Sequence, residues 1–149
     1  MRYNAVVHRK FALLDKYLIQ LQNQLKDVNL SAFKSDWALQ RMTERVLQVM
    51  VEVVVDVTER IIASKGAGPA ATAAEALEKL VELRVIKSAK PYTNMVRFRN
   101  LIIHQYEEID PAIVFDIAKD KFRNCMKRCL MSWDKGRPYC RKECNNHHQ

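Results

Sequence analysis

The sequence predicts an all-α fold, a bundle of about five helices. Only three glycines and four prolines occur in 149 residues, a composition that favours long helices over a many-turned β fold. Apolar residues make up 48% of the chain, which predicts a packed core rather than disorder. The length fits one domain. We expect a helical domain over residues 1–133 and a basic tail containing Cys and His over residues 134–149.

The first two helices are predicted from apolar spacing. Apolar residues alternate spacings of four and three on one stripe, which predicts an amphipathic helix of about seven turns: Val7, Phe11, Leu14, Leu18, Leu21 and Leu25. Asp27–Asn29 should end it. Ser35 or Asp36 can cap a second helix that runs to about Ser64. Its Val-rich centre suits a strand by propensity, but its length and the lack of nearby turn residues favour a helix.

The later helices are predicted from their start and stop signals. Lys65–Pro69 is the strongest break in the chain. Thr72 and Glu75 form a capping box that opens a short helix to about Arg84. Pro91 is suited to the first turn of the next helix. Asp110 followed by Pro111 should open a last long helix that ends near Trp133.

The most apolar stretch, residues 46–62, is predicted to be a core helix rather than a membrane span. It carries Glu52, Asp56, Glu59 and Arg60, and charges at these positions are costly in a bilayer. The first apolar run is broken at once by residues 8–10, so no signal peptide is predicted. We therefore expect a soluble cytoplasmic protein without a membrane partner.

The positive charge is concentrated at the C-terminal end. The formal charge is +8, and residues 119–149 hold nine basic and three acidic side chains, which is +6 of that total. Such a surface attracts nucleic acid through counterion release. A merely solubilising surface is the simpler interpretation of a basic tail taken alone. The motif described next favours RNA.

Arg99, His104 and Tyr106 lie close together in an otherwise apolar segment. Arginine offers a permanently charged planar fork for phosphate oxygens, and histidine titrates near neutral pH. Together they can cleave a phosphodiester without a metal, so no cofactor is expected. Taken alone, His104 or Tyr106 would be read as a core residue with a satisfied polar group.

Helical geometry separates Arg99 from His104. Residues five apart lie about 140° around a helix axis, so these two do not share a face, whereas Asn100 and His104 do. Either the helix loosens between Leu101 and His104, or the site lies in a dimer groove that residues enter from both flanks. We favour the groove, with Asn100 orienting His104 or contacting the scissile phosphate.

The order of elements and the motif resemble the HepT toxins of the HEPN superfamily. Their hallmark, R-x4-6-H followed by x-Y, is matched by Arg99, His104 and Tyr106, and the flanking Val96–Asn100 and Glu107–Pro111 are also similar. The resemblance covers roughly residues 5–125.

This resemblance implies a homodimeric ribonuclease toxin with Arg99 and His104 as catalytic residues. It also implies a partner antitoxin, a minimal nucleotidyltransferase of the MntA type that silences the toxin by transferring AMP to Tyr106. One histidine cannot easily be both acid and base in one step, and a two-fold axis would bring a second copy of the motif. The main alternative is a HEPN domain that binds RNA or nucleotides without cutting and docks the nucleotidyltransferase.

An acidic stripe follows the second helix, and most of it should be a solvated face. Its members are Glu44, Gln48, Glu52, Asp56 and Glu59. Glu52 and Asp56 are the two expected to face the groove, where they would support the site by pairing with Arg99 or by setting the proton affinity of His104.

Four cysteines lie in the last 25 residues, at positions Cys125, Cys129, Cys140 and Cys144. The C-x3-C spacing allows disulfides across a helical hairpin or a zinc cluster. Cytosolic thiols usually stay reduced, and the first two cysteines continue an apolar stripe. We therefore expect small buried apolar residues rather than a metal site.

Overall fold

The computed structural model describes residues 5–104 and 109–125, and the regular elements among these residues are all helices. The helices, in chain order, are α1 (Ala5–Leu25), α2 (Leu30–Ser35), α3 (Trp37–Ser64), α4 (Ala73–Glu82), α5 (Lys90–His104), α6 (Pro111–Asp116) and α7 (Phe122–Cys125). A π-helical segment, Ile117–Lys121, joins α6 to α7 without a break in helical backbone. The helical bundle predicted from composition is confirmed.

Helix α3 is the centre of the bundle, and α1, α2, α4, α5 and α6 all pack on it. The apolar stripe predicted for α1 is buried along its whole length, from Val7 to Leu25. The valines of α3 are helical and mostly buried, with Val51 and Val57 fully enclosed. Burial of each such side chain contributes about 1.5–3 kcal/mol, so packing outweighs the strand propensity of valine here.

Helix α2 is a short element that the apolar spacing did not predict. The Asn29 side chain caps it by accepting a hydrogen bond of 2.8 Å from the Ala32 backbone N–H. The fully buried Phe33 packs against Phe115 of α6, with ring centroids 5.1 Å apart. Six residues are too few to show a helical period, so only the cap could have indicated this helix.

The predicted caps of the longer helices are confirmed. Asp36 accepts from the Leu39 N–H at the start of α3, and Thr72 accepts from the Glu75 N–H at the start of α4. Asp110 caps α6. Pro91 is the second residue of α5, in the first turn as expected.

Helix α4 ends at Glu82, two residues before the predicted end near Arg84. Arg84 adopts a left-handed conformation with φ 58°, and the next N–H, of Val85, closes the helix on the Leu80 carbonyl. Gly66 closes α3 in the same way with φ 64°. A left-handed residue after a helix is usually glycine. Because an arginine occupies this position, the sequence did not indicate where α4 ends.

Within residues 5–104 and 109–125, none of the helices is at once long enough and apolar enough to cross a membrane. The stretch over residues 46–62 is the core part of α3, as predicted from its charges.

Candidate active site

Helix α5 carries the motif and is fixed by its apolar face. Tyr92, Met95, Val96 and Phe98 are buried, and α5 packs on both α3 and α4. The helix stays regular from Lys90 to His104. The loosening between Leu101 and His104 that the sequence left open is therefore not found.

Arg99 lies on the side of α5 that faces α3. Its Nη1 donates a hydrogen bond of 2.7 Å to Oε1 of Glu52, and the side chains are 17% and 48% exposed respectively. A charge-assisted bond of this kind is short and directional. The predicted pairing of Glu52 with Arg99 is confirmed, and it fixes the guanidinium at the edge of the α3–α5 contact.

The Nε atom is a second guanidinium donor of Arg99. The Nε atom is buried and has no hydrogen-bond partner among the described residues. A buried donor left unpaired costs about 1–3 kcal/mol, and such atoms in a native structure call for an explanation. Within the part of the chain that the structure describes, this donor is thus left open beside the contact with Glu52.

His104 and Asn100 lie on the other side of α5, and both are exposed. They are one turn apart on one face, as the spacing predicted. Leu101 and Ile103, each 47% exposed, lie beside them. Arg99 and His104 therefore leave the same helix in different directions, and one chain alone does not bring them onto one face.

Asp56 differs from Glu52 in its partners. Its Oδ2 lies 2.9 Å from Nζ of Lys10 and its Oδ1 lies 3.1 Å from Nε of Arg60. The hydrogen bond from Lys10, followed by that from Arg60, holds the pKa of this carboxyl below its usual range despite partial burial. Glu52 and Asp56 were expected to pair with Arg99 or to set the proton affinity of His104; among the described residues Glu52 pairs with Arg99, whereas Asp56 is engaged by α1 and by its own helix.

The other members of the acidic stripe differ in their exposure to solvent. Glu44 is buried and forms an ion pair of 2.7 Å with Arg41, Gln48 is half-buried, and Glu59 is exposed. The prediction that most of the stripe is solvated is therefore only partly right. A supporting role of Glu52 and Asp56 in catalysis stays a prediction.

Two sets of predicted residues lie outside the described part of the chain. Tyr106 belongs to residues 105–108, and Cys129, Cys140 and Cys144 belong to residues 126–149. Cys125 ends α7, but its side chain is not described. The modification site and the state of the cysteines remain predictions.

The exposed face of α5 carries two further cations that the sequence reasoning did not single out. Lys90 and Arg97 precede His104 by fourteen and seven residues, and both are exposed. Seven residues are close to two helical turns, so the three side chains follow one stripe. This seven-residue spacing from His104 is the feature of the sequence that could have indicated Lys90 and Arg97.

Comparison with solved structures identifies the class of fold. The chain aligns with a toxin–antitoxin crystal structure containing AMP-PNP at a TM-score of 0.74 and 22% identity, covering 83% of this chain and 96% of that one. The same values hold for a tri-AMPylated Shewanella oneidensis HEPN toxin in complex with MNT antitoxin. A tyrosine-to-alanine mutant of a MntA–HpeT toxin–antitoxin gives a TM-score of 0.72 at 21% identity, with the same coverage of both chains. The fold is that of the HEPN toxins.

Sequence comparison then identifies the family. Residues 14–131 match the model of the HepT-like family, described as ribonuclease HepT-like. A curated relative, the tRNA nuclease HepT of Aphanizomenon flos-aquae (strain 2012/KM1/D3), is 27% identical over 112 residues, which is 74% of this chain and 76% of the relative. The chain belongs to the HepT-like ribonuclease family, as the motif around Arg99 and His104 indicated.

Proposed function

We propose that this chain is the ribonuclease toxin of a toxin–antitoxin pair and that two copies together form its active site. The observation that carries the proposal is the arrangement on α5. Arg99 is fixed by Glu52 at 2.7 Å, and His104 is exposed five residues later. Membership of the HepT-like ribonuclease family supports this assignment.

The proposed reaction is metal-independent transesterification of RNA. The ribose 2′-oxygen attacks the adjacent phosphorus while its proton passes to a base, and the P–O5′ bond breaks while an acid protonates the 5′-oxygen. Histidine is the side chain most often used for proton transfer in catalysis, and His104 would have that role here. Arg99 would stabilise the charge that builds up on the phosphoryl oxygens, through the donors that Glu52 leaves available. Asn100, on the same face as His104, would orient the imidazole or contact the scissile phosphate.

A second copy supplies what one chain lacks. The reaction needs both a base and an acid, and within one chain Arg99 and His104 point in different directions. Leu101 and Ile103 are large apolar side chains about half exposed beside His104, which favours their burial by another protein surface. A two-fold axis there would place two His104 imidazoles in one groove.

The proposed substrate is tRNA. The curated relative is named as a tRNA nuclease, and the formal charge of +8 on this chain favours association with nucleic acid. We also propose the division into a helical domain, residues 1–133, and a basic tail, residues 134–149, since the family match ends at residue 131.

The proposed regulation is transfer of AMP to Tyr106 by a minimal nucleotidyltransferase of the MntA type. The structural neighbours include a tri-AMPylated toxin with its MNT antitoxin. Seven residues beyond Arg99, Tyr106 would lie on nearly the same side of α5 if the helix continued. An added phosphodiester there would occupy the guanidinium that the substrate phosphate needs.

Cleavage of purified tRNA in excess EDTA tests the proposed chemistry. The wild-type protein should yield fragments that end in a 2′,3′-cyclic phosphate and begin with a 5′-hydroxyl. His104→Ala should lower the rate by about 10²–10⁴-fold. His8→Ala is the matched control, because His8 is also an exposed histidine but lies on α1. Cleavage that stops in EDTA would contradict the metal-independent reaction.

Growth assays separate the nuclease from a non-catalytic RNA-binding domain that docks the nucleotidyltransferase. Loss of growth inhibition in His104→Ala would support the nuclease function, whereas a His104→Ala variant as toxic as the wild type would contradict it. Incubation with the cognate transferase and ATP should add adenylate mass to the wild type and not to Tyr106→Phe. Persistent labelling of that variant would move the modification to another residue.

A further inference from the structure

A basic cleft lies between α4 and the first half of α5. It has a volume of about 500 Å³ and polar walls. Six of the residues lining it carry cationic or neutral hydrogen-bonding side chains: Lys87, Ser88, Lys90, Thr93, Asn94 and Arg97. Glu78 is the carboxylate among the lining residues, so cations outnumber anions three to one.

The cleft is aligned with the candidate active site along α5. Lys90, Arg97 and His104 follow one another at intervals of seven residues, and each interval rotates by only about 20° from the same face. With a rise of 1.5 Å per residue, Arg97 lies about 10 Å and Lys90 about 21 Å from His104 along the axis. Asn94 is exposed between Lys90 and Arg97, so the stripe is accessible from the cleft to Arg97, about two turns before His104 and the proposed dimer groove.

We propose that this cleft is a phosphate-binding subsite that holds the RNA strand several nucleotides away from the bond being cut. The proposal deepens the function proposed above and rests on it for the identity of the substrate. Lys90 and Arg97 would neutralise backbone phosphates one after another, while the strand follows the exposed face of α5 toward His104. Contacts of this kind position the strand without reading its sequence.

The chemistry of the cleft fits a polyanion better than a protein partner. The cores of protein interfaces are depleted of lysine, whereas this cleft contributes Lys87 and Lys90 together with Arg97. Hydroxyl and amide side chains, Thr93 and Asn94, add neutral hydrogen-bonding groups of the kind that contact phosphate and sugar. The spacing of the cations along a helix also matches an extended ligand rather than a single small anion.

The test measures tRNA binding in a protein that does not cut it. Lys90→Ala and Arg97→Ala are combined in the His104→Ala background, and binding of fluorescein-labelled tRNA is followed by anisotropy over a range of salt concentrations. Affinity at low salt should fall by about tenfold, and the plot of log affinity against log salt should become shallower by about 1.4–1.8, since two phosphate contacts are lost.

The control changes the same charges elsewhere. Arg9→Ala with Lys16→Ala, in the same His104→Ala background, also removes one arginine and one lysine seven residues apart on exposed positions of one helix, here α1. Thermal unfolding of both double variants checks that the fold is retained. If the two substitutions on α5 weaken tRNA binding no more than the two on α1, the loss of affinity reflects net charge alone. The proposal of a subsite would then be contradicted.

Two further readouts separate this proposal from the nuclease itself. With His104 present, the α5 double variant should raise KM for tRNA much more than it lowers kcat, because it removes binding that the ground state and the transition state share. If the wild-type protein does not cleave tRNA but the double substitution on α5 still lowers tRNA affinity, the proposed nuclease function is contradicted and the proposed subsite is supported. If the double substitution on α5 abolishes binding of the cognate nucleotidyltransferase and leaves tRNA binding intact, the cleft is a protein-docking site and the proposal is overturned.

Discussion

Glu52 and Asp56 lie one turn apart on α3, yet their surroundings differ. Asp56 has a cation on each carboxylate oxygen, Lys10 on Oδ2 and Arg60 on Oδ1. Glu52 is 48% exposed and holds one nitrogen of Arg99, a residue of the motif helix. Both oxygens of Asp56 thus have a cationic partner, whereas within residues 5–104 and 109–125 the Nε of Arg99 has no hydrogen-bond partner.

We propose that this difference separates a structural ion cluster, at Asp56, from a functional one, at Glu52 and Arg99. The Asp56 cluster ties α1 to α3 and uses long, flexible cations at the surface, where each pair contributes little. The Glu52–Arg99 pair ties α3 to α5 and places a mostly buried guanidinium near the proposed reaction, with an Nε that has no partner among the described residues. Equal spacing on one helix therefore does not give equal roles.

The largest effect expected from this comparison comes from replacing, in separate variants, the two arginines that pair with these carboxylates. Arg99→Gln should lower kcat on tRNA by about 10²–10³-fold, the loss typical of one donor to a developing anion. Arg60→Gln, the same substitution next to Asp56, should change kcat by less than about twofold. Steady-state cleavage rates of the two variants measure this contrast, and a similar loss in both would remove the distinction.

The next effect concerns the carboxylates themselves. Glu52→Gln should lower kcat by about ten- to a hundredfold, because a guanidinium displaced by as little as about 1 Å loses its alignment with the phosphate. Asp56→Asn should leave kcat close to that of the wild type, since its partners are Lys10 and Arg60.

A purely structural role of Glu52 would give a different pattern. If Glu52 acts through Arg99, combining Glu52→Gln with Arg99→Gln should cost little more than Arg99→Gln alone, because residues that act as a unit are not additive. Additive losses of the two substitutions would show that Glu52 acts elsewhere.

Much of this fold could be predicted from the sequence, because its signals are local. The stripe from Val7 to Leu25 and the caps at Asp36 and Thr72 depend on residues within one or two turns of each other, and the structure confirms them. Helix α2 was missed because six residues show no period. The end of α4 was misplaced because an arginine occupies the position where glycine is usual.

The site was predicted less completely, because its contacts depend on packing. The periodicity of α3 shows that Glu52 and Asp56 share a face, but their partners depend on which helix packs beside each turn. Helix α1 brings Lys10 to Asp56, whereas α5 brings Arg99 to Glu52. Lys90 and Arg97 were missed for another reason: exposed cations on a basic chain are common, and only their register with His104 distinguishes them.

A smaller effect is expected on stability at neutral pH. Asp56→Asn should lower the free energy of unfolding by about 0.5–1 kcal/mol, because it weakens two partly exposed ion pairs that are each worth a few tenths of a kcal/mol to about 1 kcal/mol. Urea denaturation of the wild type and the variant measures the difference. In a Lys10→Gln background the same substitution should cost less, since the two residues are in direct contact.

The smallest effect is the pH dependence of that same difference. The pKa of Asp56 is lowered in the folded protein, first by the hydrogen bond from Lys10, so the folded state favours the charged carboxylate more than the unfolded chain does. Its contribution to stability is therefore complete above the unfolded pKa of about 3.9 and is lost as the pH falls through the lower folded value. The stability difference between wild type and Asp56→Asn should be constant from about pH 5 to 7 and shrink toward zero below about pH 4. A difference that grows on acidification would mean that the neutral carboxyl is the form preferred in the fold, contrary to its two cationic partners.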